Sequence, residues 1–251
     1  MTETFDPRTL AARLHSLRQA GRQETTDTFA LPADLHQAME AQNLLTAADH
    51  ISSNAWKVTV SPQGQAVTAP LYPYAKAVSG ADIPWYPGLK FETEIAVCLG
   101  GDLPVRAVPY SRAEVVEAIS AVYLGAELLV SAVKESGSVS FLLFVADRLG
   151  NSGYVLGPEV EKTVVDTAAG TPLKVTHAGR TIYDSPAQHP KGDVLTWLVD
   201  YANDGVRPET SLKAGALITT GTLSGAIELT EPGEIDIMFG DIRLSFSVSK
   251  A

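Results

Sequence analysis

Apolar residues recur at helical spacing over the first fifty positions and at strand spacing over most of the remainder. Leu10, Leu14 and Leu17 mark one helix, and Leu35, Met39, Gln42 and Leu45 mark a second that Pro32-Ala33-Asp34 is suited to start. From Trp56 the texture changes to short β-prone runs cut by Pro and Gly. Residues 56–60 and 91–99 read as strands, with 61–89 between them as loop and short strands. Residues 112–119 read as a helix capped by Ser111. Strand character resumes over 124–133 and 154–156. Residues 193–203 are amphipathic and stop before Gly205. The chain closes with strands over 216–220, 234–239 and 242–248. There is no repeat and no low-complexity tract. These elements predict an α+β chain: a helical N-terminal segment, residues 1–55, packed on a mostly β catalytic domain, residues 56–251, in a mixed β-sandwich or roll.

The strand over 91–99 carries the most informative chemistry. Glu92 and Glu94 stand one position apart, so alternation projects both onto one face, with Phe91, Ile95 and Val97 on the other. Glu127 stands alone in an apolar run, and charged groups are rarely left buried unless paired or bound to a metal. Three converging carboxylates would suit a hard divalent cation such as Mg2+ or Mn2+, with positions left open for substrate oxygens. The competing accounts are a solvent-facing glutamate pair and a buried ion pair of Glu127 with Arg106, Arg112 or Arg148. Lys57, beside Trp56, could bind an anionic group or move a proton, or could simply snorkel from a strand edge. The turn from Thr220 through Thr222 and Ser224 to Gly225 brings hydroxyls and backbone N–H groups where they could meet an oxyanion, and the segment opened by Asp147 has the same character.

Composition narrows the setting. The 251 residues, 45% hydrophobic and 19% charged, can bury a sizeable core. A net charge of -10 argues against nucleic acid or an anionic membrane as partner. One cysteine, Cys98, excludes an internal disulfide and a Cys-rich zinc site. No signal-peptide pattern opens the chain, and no apolar run approaches the roughly 20 residues of a membrane span. The expectation is a soluble, cytoplasmic protein. Gly-x-Ser-x-Gly, Gly-x-x-x-x-Gly-Lys, Gly-x-Gly-x-x-Gly and His-Glu-x-x-His are all absent. The histidines (His15, His36, His50, His177, His189) are scattered, and His177 and His189 are expected in solvated loops.

The order of motifs resembles the fumarylacetoacetate hydrolase superfamily, and within it the 2-oxopent-4-enoate hydratase and 4-oxalocrotonate decarboxylase branch. Gln42, Trp56-Lys57-Val58, Phe91-Glu92-Thr93-Glu94-Ile95-Ala96, Ala126-Glu127-Leu128-Leu129, the loop from Ala146-Asp147 to Leu156-Gly157, the helix over 193–203 and the turn over 220–225 follow that family's sequence of segments. The resemblance implies Glu92, Glu94 and Glu127 as ligands of Mg2+ or Mn2+, Lys57 and Glu92 as catalytic groups, and Trp56, Asp147, Thr220, Thr222 and Ser224 at the substrate. It implies a small 2-oxo acid as substrate, a lyase reaction in aromatic-compound catabolism, and a homo-oligomer able to associate with a neighbouring pathway enzyme. The chain departs from the family at Val130 and Ala132, where an Asp and an Arg are usual, and at Thr59, Arg148, Asn151 and Arg243.

Overall fold

A computed structural model describes residues 5–76, 80–135 and 138–250. Asp6 starts the first helix, α1 (Pro7–Gln19): its carboxylate accepts from the N–H groups of Arg8 and Thr9, and Pro7 occupies the first turn, where no N–H is needed. Asp34 caps α2 (Leu35–Ala48) in the same way, through the N–H of Gln37. There follow β1 (Ala55–Val60), β2 (Ala66–Pro70), β3 (Tyr74–Lys76), β4 (Asp82–Trp85), β5 (Lys90–Leu99), α3 (Arg112–Ala118), β6 (Ile119–Leu129), α4 (Phe141–Ala146), β7 (Asn151–Val160) and α5 (Val164–Thr167). The last third holds β8 (Pro172–His177), β9 (Arg180–Pro186), α6 (Thr196–Ala202), β10 (Leu217–Thr222), β11 (Ile227–Glu228), β12 (Gly233–Phe239) and β13 (Ile242–Lys250).

Two sheets result. One runs β2-β1-β10-β5-β6-β7-β3, with β11 added to β5; the other runs β4-β13-β12-β8-β9. The sandwich core lies between them. Phe91, Ile95 and Val97 of β5 and Leu124 of β6 pack with Ile235, Ile237, Leu244 and Phe246 of the smaller sheet. Alternation therefore turns Lys90, Glu92 and Glu94 to the opposite face of the large sheet, away from that core. The mixed α+β, mostly β architecture expected above is the one observed. The N-terminal helices do not close a core of their own. Leu10, Leu14, Leu17 and Leu45 pack with Val133, Leu143 and Ala146 across α4.

Several boundaries differ from the sequence reading. β6 begins at Ile119 and stops at Leu129, so residues 130–133 leave the sheet. α6 begins at Thr196 rather than 193, because the Asp193 carboxylate is bound by Arg112 and by the N–H of Leu195. Among the described residues no helix is long and apolar enough to cross a membrane.

Candidate metal centre

Register brings the three acids together. β5 and β6 pair antiparallel with Glu92 directly opposite Glu127 and Glu94 opposite Gly125. Directly opposed residues share a face, with Cβ atoms roughly 5 Å apart. One carboxylate oxygen from each of Glu92, Glu94 and Glu127 lies within 4.8 Å of the others. Glu127 and Glu94 are buried, 0% and 1% exposed. The Oε2 atoms of both are buried without a hydrogen-bond partner. Oε1 of Glu127 accepts from Lys57 Nζ at 2.7 Å and from Asn151 Nδ2 at 3.0 Å.

The partner of Glu127 is thus Lys57, not an arginine: Arg106 pairs with Glu114, Arg112 with Asp166 and Asp193, and Arg148 lies beside Asp49. The pairing also reports the shape of the sheet. β1 and β6 are three places apart in strand order. A flat sheet would separate their backbones by roughly 14 Å, the limit of a lysine and a glutamate stretched flat towards each other, whereas strand side chains stand off the sheet, so the large sheet curls around this face. Gly125 serves the same packing: a Cβ there would sit 2.1 Å from the Tyr154 hydroxyl oxygen, which is buried near the acids.

The electrostatics follow from crowding like charges in a dry place. Burial raises the pKa of Glu92 to about 7, with Lys57 opposing the rise and Glu127 adding to it. Burial, then Glu127 and Glu92, push Glu94 well above the ordinary carboxylate range. Burial alone would lower Lys57, but the three glutamates outweigh it and hold its ammonium above the usual lysine value. One ammonium against three carboxylates leaves the ionised cluster two negative charges in excess. The unpartnered buried oxygens of Glu94 and Glu127, the all-oxygen donor set and that excess charge all fit a divalent cation such as Mg2+ or Mn2+.

A cavity of about 290 Å³ opens onto the cluster. Lys57, Thr59, Lys90, Glu92, Glu94, Thr219 and Thr222 are its polar lining, while Leu129, Phe144 and Leu149 are among its apolar walls. Trp197 of α6 completes it and packs edge-on to His189, ring centroids 5.0 Å apart. The indole fits because position 221 is glycine, with φ +105° and a would-be Cβ only 2.3 Å from the Trp197 ring.

Not every residue singled out in the sequence arrives here. Trp56 follows the alternation of β1 to the face opposite Lys57 and does not line the cavity. Thr220 is buried with its hydroxyl donating to Ile95 O at 2.9 Å. Ser224 Oγ accepts from the N–H of Thr93 at 3.1 Å, so it ties the turn to β5. Asp147 is 0% exposed and spends its carboxylate on Arg18 Nε at 2.7 Å, Ser131 Oγ at 2.6 Å and the N–H of Ala132 at 2.8 Å. It anchors α1 to the loop after β6 and is not among the residues lining the cavity. Arg18→Met, which strands that carboxylate, is expected to cost about 3–5 kcal/mol in urea unfolding while leaving metal-dependent stabilisation intact. His177 and His189 are buried, not solvated, and His189 Nε2 lies 2.8 Å from Thr220 O. Lys90 and Thr59 were legible from alternation with Glu92 and Lys57; Thr219, Leu149 and Trp197 carried no such signal.

No curated protein matches this sequence. Among solved structures, 4-oxalocrotonate decarboxylase from Pseudomonas putida G7, complexed with magnesium and adipate, is similar in fold, with a TM-score of 0.78 at 16% identity over 99% of each chain. Maleylpyruvate hydrolase from Sphingobium sp. SYK-6, in complex with manganese(II) and pyruvate, is similar over 78% of this chain and 69% of its own, with a TM-score of 0.51 at 16% identity. The 5-carboxymethyl-2-hydroxymuconate delta-isomerase of Mycobacterium smegmatis is similar over 78% of both chains, with a TM-score of 0.51 at 16% identity. The sequence model of the fumarylacetoacetate (FAA) hydrolase C-terminal family matches residues 42–245, a span that includes the curled sheet and all three glutamates, and the chain belongs to that family.

Proposed function

We propose that the chain is a Mg2+- or Mn2+-dependent lyase that adds water to a 2-hydroxydienoate or 2-oxo-4-enoate, a small 2-oxo acid of aromatic-compound catabolism. The observation that carries this reading is the cluster of Glu92, Glu94 and Glu127, with two buried carboxylate oxygens left without partners beside a lined cavity. The magnesium and adipate, and the manganese and pyruvate, held by two similarly folded proteins support it. When bound, the cation supplies Lewis acidity that draws electrons toward the oxygens of a 2-oxo acid.

The chain's own residues do the rest. Glu92, Glu94 and Glu127 hold the ion. Lys57 keeps its proton at Nζ because three acids face it, and it sits on the cavity wall able to offer that charge or proton to the substrate. Glu92, partly exposed to the cavity, is placed to exchange a proton with substrate or water. The hydroxyls of Thr219 and Thr222 can donate to a substrate oxygen, and Phe144, Leu149 and Trp197 keep bulk water away. Assembly as a homo-oligomer in the cytoplasm, with a pathway enzyme as partner, belongs to the same reading.

Decarboxylation of a 2-oxo-3-hexenedioate-type acid is the second reading, favoured by a second lysine in the cavity, Lys90. Hydrolysis of an acylpyruvate is less supported, because no histidine is among the described residues lining the cavity. Product analysis decides. Supplied with Mg2+ or Mn2+, the protein is expected to turn 2-hydroxypenta-2,4-dienoate into 4-hydroxy-2-oxopentanoate, and EDTA to stop it. Release of CO2 from 2-oxo-3-hexenedioate alone would select the second reading. Cleavage of only an acylpyruvate defeats the lyase assignment, and no turnover at all favours a non-catalytic partner subunit.

A further inference from the structure

We propose that a second cavity, separate from the metal centre, binds a small organic anion: a carboxylate or phosphate group on a flat apolar body, held by the guanidinium of Arg148. The proposal does not depend on the reaction assigned to the metal centre.

The cavity encloses about 530 Å³, against about 290 Å³ for the one over the glutamates. It lies between the C-terminal end of α1 and the loop after β6, and the two cavities share no lining residue among those described. Its volume is in the range that holds organic ligands. Arg18, Arg22, Lys134 and Arg148 line it, with Asp49 as the one carboxylate among the described lining residues. That concentration of cations stands against the net charge of -10 on the whole chain.

Arg148 carries the argument. The residue is 5% exposed, and its Nε and Nη1 are buried with no hydrogen-bond partner among the described residues. Its Nη2 lies 3.5 Å from Asp49, a carboxylate already engaged at 2.6 Å by His15 Nδ1. Arg18 is a second guanidinium, committed to Asp147. Burial, then the charge of Arg18, lowers the Arg148 guanidinium to about 10, with Asp49 opposing, so it is still charged at neutral pH. A buried cation this short of acceptors is costly, and an anion in the cavity would supply them.

The backbone and the walls agree with that role. Arg148, Leu149 and Gly150 have φ of 55°, 52° and 71°, a left-handed run that costs about 1–2 kcal/mol at each non-glycine position. It sets Arg148 on this cavity while Leu149 and Gly150 line the other. Val130 and Ala132, where the family usually has an Asp and an Arg, line this cavity too. Valine removes a competing negative charge, and alanine leaves room. The site is therefore a feature of this chain and not of the family pattern. Tyr72, Pro73 and Tyr86 are among its walls, and their flat faces suit a planar apolar body.

Calorimetric titration in EDTA with benzoate, phenyl phosphate, benzamide and inorganic phosphate tests this. Wild type is expected to bind benzoate or phenyl phosphate, and the tighter of the two identifies the anionic group. That probe should bind roughly tenfold or more tightly than benzamide, which has the ring without the charge, and than inorganic phosphate, which has the charge without the ring. Arg148→Met should weaken it by about tenfold or more, Arg22→Gln by a few fold, and Glu94→Gln should leave it unchanged. A cooperative melt shows that each variant is folded, and the exposed Arg22 keeps the test open if Arg148→Met does not fold. Failure of both charged probes, benzamide binding as tightly as they do, or affinity untouched by the arginine variants overturns the proposal. Inorganic phosphate binding as tightly as phenyl phosphate overturns the organic body.

Discussion

Glu94→Gln is expected to raise the melting temperature of the metal-free protein at pH 8 while erasing the stabilisation that Mg2+ or Mn2+ confers on wild type. Glu94 is 1% exposed, and its Oε2 has no partner. Burial and the facing Glu127 and Glu92 raise its pKa well above the ordinary range, and burial leads the rise of Glu92 to about 7, with Lys57 opposing and Glu127 adding. An acid whose pKa is higher folded than unfolded holds its proton more tightly in the folded state. The stability it contributes is complete below the unfolded value of 4.5 and is lost as pH rises toward about 7. Without metal, then, Glu92 alone should account for a loss on the order of 2 kcal/mol between pH 5 and pH 8. Glutamine keeps the shape at position 94 and removes one of the mutually repelling charges. A gain of about 1–2 kcal/mol is expected in EDTA, or roughly 2–8 °C for a chain of this length. The same exchange removes one ion ligand, so activity should fall with the metal response, a stability gain set against function. Scanning fluorimetry in EDTA and in Mg2+, at pH 5.5 and pH 8, reads all of this. A Glu94→Gln protein less stable than wild type in EDTA at pH 8 would mean that the cluster is not under the strain assigned to it.

How far the sequence disclosed this site depends on which physical signal each residue carried. Period-2 alternation placed Glu92 and Glu94 on one face before any coordinates. The burial of Glu127 could be anticipated because an apolar run with one charge has few other uses. Its counter-ion could not, since Lys57 reaches it only through the curl of a sheet whose strand order, β1-β10-β5-β6, leaves no mark in local pattern. Capping chemistry made Asp34 and Ser111 legible as helix starts. α4 was missed because Phe141-Leu142-Leu143-Phe144-Val145-Ala146 is apolar on every side and too short to show a helical period. The β8–β9 hairpin was missed for the opposite reason: β9 has no buried residue, and so no apolar face to alternate.

The departures from the family pattern are also resolved in part by position. Val130 and Ala132 lie just beyond the end of β6, and Asp147 receives its guanidinium from Arg18 of α1. The N-terminal helices therefore complete the loop that flanks the cavity. His189 could be judged solvated from its loop context, yet the loop folds over Trp197 and buries it. What the sequence disclosed was each residue's local preference; what it withheld was the meeting of distant segments.

Lys57→Met is expected to act on stability in the direction opposite to Glu94→Gln. Lys57 Nζ lies 2.7 Å from Glu127 Oε1, and the carboxylate it serves is 0% exposed. Methionine keeps most of the stem and deletes the charge, leaving Asn151 Nδ2 as the remaining donor to Glu127 among the described residues. Removing one partner of a buried pair typically costs about 3–5 kcal/mol, because the survivor stays buried and charged. In EDTA the variant should therefore melt roughly 10 °C below wild type. A divalent cation brings positive charge to the same carboxylates, so Mg2+ should restore more stability to Lys57→Met than it adds to wild type. Turnover should not return with it. If Lys57 supplies a proton as well as a charge, the rate at saturating metal should remain lower by about 10²–10⁴-fold. Lys57→Arg separates the two roles, since it keeps the charge while holding its proton too tightly to give it up. It should recover most of the stability and little of the rate. Ionised, the cluster carries three negative charges in Lys57→Met, two in wild type and in the Lys57→Met/Glu94→Gln double variant, and one in Glu94→Gln. If charge crowding governs this site, melting temperatures in EDTA at pH 8 will follow that order, with Glu94→Gln highest and Lys57→Met lowest. A Lys57→Met protein as stable as wild type in EDTA would show that Glu127 can stand without the ammonium, and the crowding account would have to be abandoned.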